Sequence, residues 1–263
     1  MTDPKPPATR AKTPRRVREV PAVTRSIAVL RLLGKSQTPL GVKAIAEALG
    51  LVTSTCLHIL RVLVDEGLVR IDPATKRYSL GVGMLTLARS VMERNVFPQL
   101  AQPVLDRLST RWNVTTIGVE IVELDHMIVL AIARSEVPFR LHVDVGSRFP
   151  ALISATGRLV AANTQHPWAE VERRFKALRW HQAPDVAAWR KDVEKVRRTG
   201  YSIDRGNYIG GVTVIAVPVF GADRQLGHSL VAAGVSDQLA GGRSEQLVED
   251  MASEARALGE LLG

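Results

Sequence analysis

A single cysteine, Cys56, in 263 residues leaves no partner for an internal disulfide and rules out a cysteine-rich zinc or iron–sulfur site. Aromatic residues are scarce at 5%. The chain has no apolar run of the roughly 18 residues that a membrane helix requires, and no signal-like hydrophobic stretch near the N-terminus. A soluble cytoplasmic protein without a membrane partner is expected. The histidines are equally uninformative for chemistry, because His126, His142, His166, His181 and His228 share no metal-ligand spacing. Gly227-His228-Ser229-Leu230-Val231 begins like a nucleophile elbow but has Val231 where glycine is needed, so it reads as strand interior. The stretch from Gly206 to Gly211 lacks the Lys-Ser/Thr pair of a phosphate loop. No metal, cofactor or catalytic constellation is therefore expected, and the protein is read as a non-enzyme.

The charge is unevenly placed. The chain carries a net +9, and residues 1–80 hold 14 Lys and Arg against 6 Asp and Glu, so +8 of the excess lies in the first third. A basic module joined to a near-neutral one suits binding to a phosphate backbone, where cationic side chains release condensed counterions. Residues 1–21, with five prolines and six Lys or Arg, are expected to form a disordered basic arm.

Between Val42 and Ile59 the spacing matches a helix-turn-helix. Ile45, Leu49, Cys56 and Ile59 are the inward positions, Ala46 is the small residue at the helix crossing, Gly50 is the turn residue and Leu51 fills the gap behind it. Thr53, Ser54, Leu57 and His58 then fall on the outer face of the second helix. A first helix from Val23 to Gly34, with Thr24 or Ser26 as a cap, completes the core. Strands at Leu68 to Ile71 and Arg77 to Leu80 form a wing, with Lys76 and Arg77 near its tip in reach of phosphate. This gives a winged helix-turn-helix over residues 22–80 and a linker helix over 81–96, whose stripe of Met84, Leu87, Ala88 and Val91 suits self-association.

Residues 97–263 alternate β-branched and helical stretches. Thr115 to Glu123 and Met127 to Ala133 predict a hairpin, Phe139 to Val145 a third strand, and Val212 to Phe220 with Leu226 to Ala233 a second hairpin. Helices are expected near Ser154 to Asn163, Pro167 to Leu178, Pro184 to Thr199 and Ser244 to Leu262, while Pro98 and Pro103 are expected to interrupt the chain. The sum is an α+β fold, an antiparallel sheet with flanking helices. Trp168, Trp180 and Trp189 read as core anchors beside solvated charges.

The order of these parts, with Arg25-Ser26-Ile27-Ala28-Val29-Leu30, Tyr78-Ser79-Leu80-Gly81, Ser154-Ala155-Thr156-Gly157-Arg158 and Gly211 to Val219, resembles the IclR family of bacterial transcriptional regulators over about Val23 to Leu262. The resemblance implies a GAF-like C-terminal domain that binds a small-molecule effector, assembly as a homodimer or tetramer, and control of catabolic operons. Ser154, Ala155 and Thr156 would then open the effector loop, with Asp204, Val212, Val214, Val231 and Ala233 completing the site.

The chain departs from the family pattern in two places. Arg205, Gly206 and Asn207 stand where an acidic pair is common, and Val214 and Ala233 stand where some members carry cysteine and serine. A drier pocket follows, better suited to an aromatic or partly apolar acid than to a small oxoacid. His58 and Thr53 occupy frequently basic positions, so base reading would rest on Thr53 and Ser54, with Leu57 against a thymine methyl, His58 donating one hydrogen bond and Arg61 on phosphate. Two other readings stay open: an enzyme with an accessory DNA-binding module, and an architectural DNA-binding protein without a ligand.

Overall fold

Gly50 sits in the left-handed region at φ 61°, which a side chain rarely adopts, and there the chain turns from one helix into the next. A computed structural model describes residues 20–135 and 143–262. The expected basic arm lies outside the described residues except at its end, where Pro21 opens a helix instead. The contact pattern divides the chain after Arg94.

In the first unit α1 spans Pro21–Lys35, starting on a proline whose fixed φ suits a first helical turn. Thr24 and Ser26 do not cap it; their hydroxyls donate back to the carbonyls of Val20 and Ala22 at 3.4 and 2.9 Å. After β1 (Leu40–Gly41) come α2 (Val42–Leu49) and α3 (Thr53–Asp65), bent 113° from each other. Val29, Leu33, Ile45, Ala46, Cys56, Leu60 and Leu63 form the buried centre of the three helices. The wing strands β2 (Val69–Ile71) and β3 (Arg77–Leu80) pair antiparallel, and β1 pairs on the other side of β3. At the wing turn the Asp72 carboxylate accepts hydrogen bonds from the backbone N–H groups of Ala74 and Thr75, which hold it below the usual carboxylate range. Helix α4 (Gly83–Arg94) follows, leaving Leu85, Leu87 and Val91 largely exposed.

The second unit opens with α5 (Phe97–Trp112), which runs through both prolines. Pro98 lies in the first turn, where no intrahelical N–H is needed, and Pro103 is exposed while Ala101, Val104, Leu105 and Leu108 are buried. The long strands β4 (Thr115–Val122) and β5 (His126–Ala133) pair with each other. The strand expected over 139–145 falls mostly outside the described residues. Val143 to Val145 are not in a strand, and β6 (Arg148–Pro150) is what pairs with β5. Then come α6 (Ser154–Asn163), α7 (Trp168–Lys176), α8 (Val186–Thr199), β7 (Ser202–Arg205), β8 (Val212–Phe220), β9 (Leu226–Val235) and α9 (Arg243–Leu261).

The six strands run in the order β6-β5-β4-β9-β8-β7, all antiparallel. Strand periodicity of two sends Ile215, Val217, Val219, Leu230 and Ala232 to one face, packed on α5 and α9. Val212, Val214, Ala216, Val231 and Ala233 face the other way, into a cluster with Ala155 and Leu159 of α6. Burial on both faces explains why β8 and β9 read as near-continuous apolar runs. The fold is α+β, as composition and patterning imply.

Candidate functional site

Helix α3 has one buried and one open face. Cys56, Leu60 and Leu63 point into the core, whereas Thr53, Ser54, His58 and Arg61 are exposed and Leu57 is half-buried. Positions 54, 57, 58 and 61 share one face by the three-and-four spacing of a helix, so the outward set forms a single strip. Burial pushes the Cys56 thiol up, which keeps it protonated and inert. At the wing, Lys76 and Arg77 are both exposed, but the Arg77 guanidinium donates to the carbonyl of Pro39 at 3.3 Å and so also braces β1. Arg70 reaches across the same hairpin to the Ser79 hydroxyl at 2.8 Å.

In the second unit the sheet register assembles the other set of residues. Asp204 pairs with Val214, Val214 with Ala233, and Ala233 with Thr115, forming a row across four strands. The next row runs Ser202, Ala216, Val231 and Ile117. Ala155, Val212, Val214, Val231 and Ala233 belong to one aliphatic cluster, and Ser154 and Thr156 are buried beside Ala155 at the start of α6. Ser154 has φ 57°, a left-handed conformation for a residue with a side chain, and α6 begins without a side-chain cap. Gly157 is dictated by packing: a Cβ there would lie 2.0 Å from the Leu152 carbonyl oxygen.

Arg158 and Asn207 tie these parts together, and sequence reasoning did not single out either as a site residue. The Arg158 side chain is 3% exposed. It donates to the Ser154 carbonyl at 3.1 Å, to Asn207 Oδ1 at 2.8 Å and to the Asp192 carboxylate at 3.1 Å. The Asn207 N–H in turn donates to Asp204 Oδ1 at 2.7 Å. The sequence signals were an arginine closing the Ser154 to Arg158 phrase and the replacement of the acidic pair after Asp204.

Three polar atoms in this region, Ser154 Oγ, Ser202 Oγ and Asp204 Oδ2, are buried and have no hydrogen-bond partner among the described residues. Buried polar groups are ordinarily satisfied, and each such atom invites a ligand or water. A groove of about 800 Å³ lies elsewhere. It is lined by Asn163 at the far end of α6, by the β8–β9 turn and by His228, and none of the eight expected effector residues borders it.

Residues 22–73 match the model for the IclR helix-turn-helix domain, and residues 89–259 match that for the bacterial transcriptional regulator IclR C-terminal domain. The glycerol operon regulatory protein of Streptomyces griseus is 28% identical over 250 residues, covering 94% of this chain and 98% of that protein. Among solved structures, the IclR transcriptional regulator of Alicyclobacillus acidocaldarius superposes with a TM-score of 0.78 at 27% identity, covering 94% of this chain and all of the other. An IclR homolog of Microbacterium hydrocarbonoxydans, crystallised in complex with 4-hydroxybenzoate, superposes with a TM-score of 0.76 at 22% identity, over 92% and 98% of the two chains. A helix-turn-helix with an open recognition face, followed by this sheet and these domain matches, places the chain in the IclR family of bacterial transcriptional regulators.

Proposed function

We propose that this regulator binds operator DNA sequence-specifically as a homodimer or tetramer, and that a small, partly apolar organic acid held in the C-terminal unit modulates that binding. On the DNA side the reading takes Thr53, Ser54, Leu57 and His58 as base-contacting residues and Arg61, Lys76 and Arg77 as phosphate contacts. Pairing of subunits is supported by α4, whose Leu85, Leu87 and Val91 are exposed along one helix.

The observation that carries the effector reading is the pair of buried atoms without a partner among the described residues, Ser154 Oγ and Asp204 Oδ2, set against an aliphatic wall of Val212, Val214, Val231 and Ala233. Such a wall gives a small hydrophilic oxoacid little to bury, whereas an aromatic acid fills apolar volume and still offers polar atoms. The 4-hydroxybenzoate bound by the Microbacterium relative is of that chemical kind. An effector acts only through different affinities for the DNA-competent and incompetent arrangements, so the sign of the response follows from which arrangement it prefers.

The test has two arms. Fragments of source genomic DNA retained by the purified protein should cluster at one or a few sites with inverted half-sites; uniform retention that vanishes in modest salt favours the architectural alternative. Thermal melting with a panel of acids should then show stabilisation by aromatic acids. A shift with glyoxylate but none with aromatic acids overturns the effector class.

A further inference from the structure

The connection between α7 and α8 is fastened to the loop that leaves β7. Gln182 N–H donates to the Asn207 carbonyl at 2.9 Å, and Asn207 Nδ2 returns a bond to the Gln182 carbonyl at 3.3 Å. Beside this pair the His181 ring packs so closely on Gly210 that a Cβ there would lie 2.6 Å from Nε2. Asn207 is the same residue whose side chain receives Arg158 and whose backbone N–H braces Asp204, so the connection is joined to the effector residues through one residue.

Trp180 lies within this connection. Its ring packs on the aliphatic cluster that contains Val212, Val214, Val231 and Ala233, and on the outer cluster through Phe175, with ring centroids 5.5 Å apart. Its indole Nε1 is buried and has no acceptor among the described residues. An indole N–H is a donor only, and leaving it unmet in the interior is unfavourable.

We infer that the α7–α8 connection forms a second wall of the effector site and that Trp180 is a specificity-determining residue, donating its indole N–H to the carboxylate of a bound hydroxylated aromatic acid. This rests on the effector reading above and deepens it. The three atoms are chemically complementary to such a ligand. Ser154 Oγ and Trp180 Nε1 supply hydrogen-bond donors for a carboxylate, and Asp204 Oδ2 supplies an acceptor for a hydroxyl. A simple aromatic acid satisfies the donors but leaves Asp204 unmet, so the site should favour the hydroxylated ligand.

Calorimetric titration of the full chain with 4-hydroxybenzoate and with benzoate tests this, comparing wild type, Trp180→Phe and Trp189→Phe. Trp189 is the internal control. Its Nε1 is also buried without a partner among the described residues, but its ring stacks on Phe175 and lies tilted against Trp168 in the outer cluster. Wild type should bind 4-hydroxybenzoate more tightly than benzoate. Trp180→Phe should weaken both about tenfold while its melting temperature holds or rises, because an unmet donor has been removed from the free protein. Trp189→Phe, at a fully buried ring, should lower the melting temperature through the cavity it leaves while the affinity is unchanged. Wild-type affinity in Trp180→Phe, or equal weakening in both variants, overturns the role of Trp180 and leaves the effector reading standing. Failure of wild type to bind either acid overturns both.

Discussion

Arg158 Nη2 lies 2.8 Å from Asn207 Oδ1, and that bond joins the helix opening at Ser154 to the loop leaving Asp204. The guanidinium is buried, and two of its acceptors, the Ser154 carbonyl and Asn207, lie inside the domain, whereas Asp192 is half exposed and can hydrate. Arg158→Met keeps the aliphatic stem and orphans those inner acceptors. We expect a loss of about 2 kcal/mol in chemical denaturation, in line with charge-assisted hydrogen bonds in the interior. An unchanged midpoint would show that the network carries no stability.

The two kinds of DNA contact should separate by substitution. Arg61→Ala, on the open face of α3 one turn past Leu57, should weaken binding to operator and random DNA alike and flatten the salt dependence by about one phosphate contact. Ser54→Ala should instead change which bases are preferred, at a cost of about 1–3 kcal/mol on the best site. Equal losses on both DNAs for both variants would contradict this division.

Two glycines should respond to alanine for different reasons. At Gly157 the added Cβ meets Leu152 backbone at 2.0 Å, so Gly157→Ala should cost more than about 3 kcal/mol or prevent folding. At Gly50 the space is open but φ is 61°, so Gly50→Ala should cost only about 1 kcal/mol, from conformational strain. Denaturation midpoints compare them directly, and similar losses would refute the packing argument.

His228 stacks on Phe97 with ring centroids 4.1 Å apart, and burial holds its imidazole below the usual histidine range against a smaller opposing pull from Glu120. The unfolded chain therefore takes up this proton at a higher pH than the folded one. Stability from this group is complete above about pH 6.5 and falls as pH drops from there toward the lowered folded value. Wild type should lose melting temperature between pH 6.5 and 5 more steeply than His228→Gln. Parallel profiles would show that His228 titrates as if exposed.

Where periodicity was strong, the sequence located elements closely. The apolar runs of β8 and β9 and the phrase opening α6 mark segments whose element type is written in local residue pattern. Elsewhere local chemistry misled. Two prolines concealed α5, because nothing in the sequence says that Pro98 falls in a first turn and Pro103 on an exposed face. β7 is four residues, Ser202–Arg205, with alternating polar side chains, and it is a strand only because β8 offers it an edge. The Trp180 connection gives no periodic signal, and its link to Asn207 spans 25 residues of sequence between Gln182 and Asn207.

By itself the sequence determined the two-part plan, the helix-turn-helix with its outward strip, the family and the aliphatic character of the Val212, Val214, Val231 and Ala233 cluster, since each rests on residue types in a local pattern. Tertiary structure alone decided that Arg158 and Asn207 fasten Ser154 to Asp204, that Trp180 packs on the same cluster, and that a groove of about 800 Å³ lies at the other end of α6. Those relationships depend on strand register and on long-range side-chain hydrogen bonds, whose partners are separated in sequence and meet only once the sheet has closed.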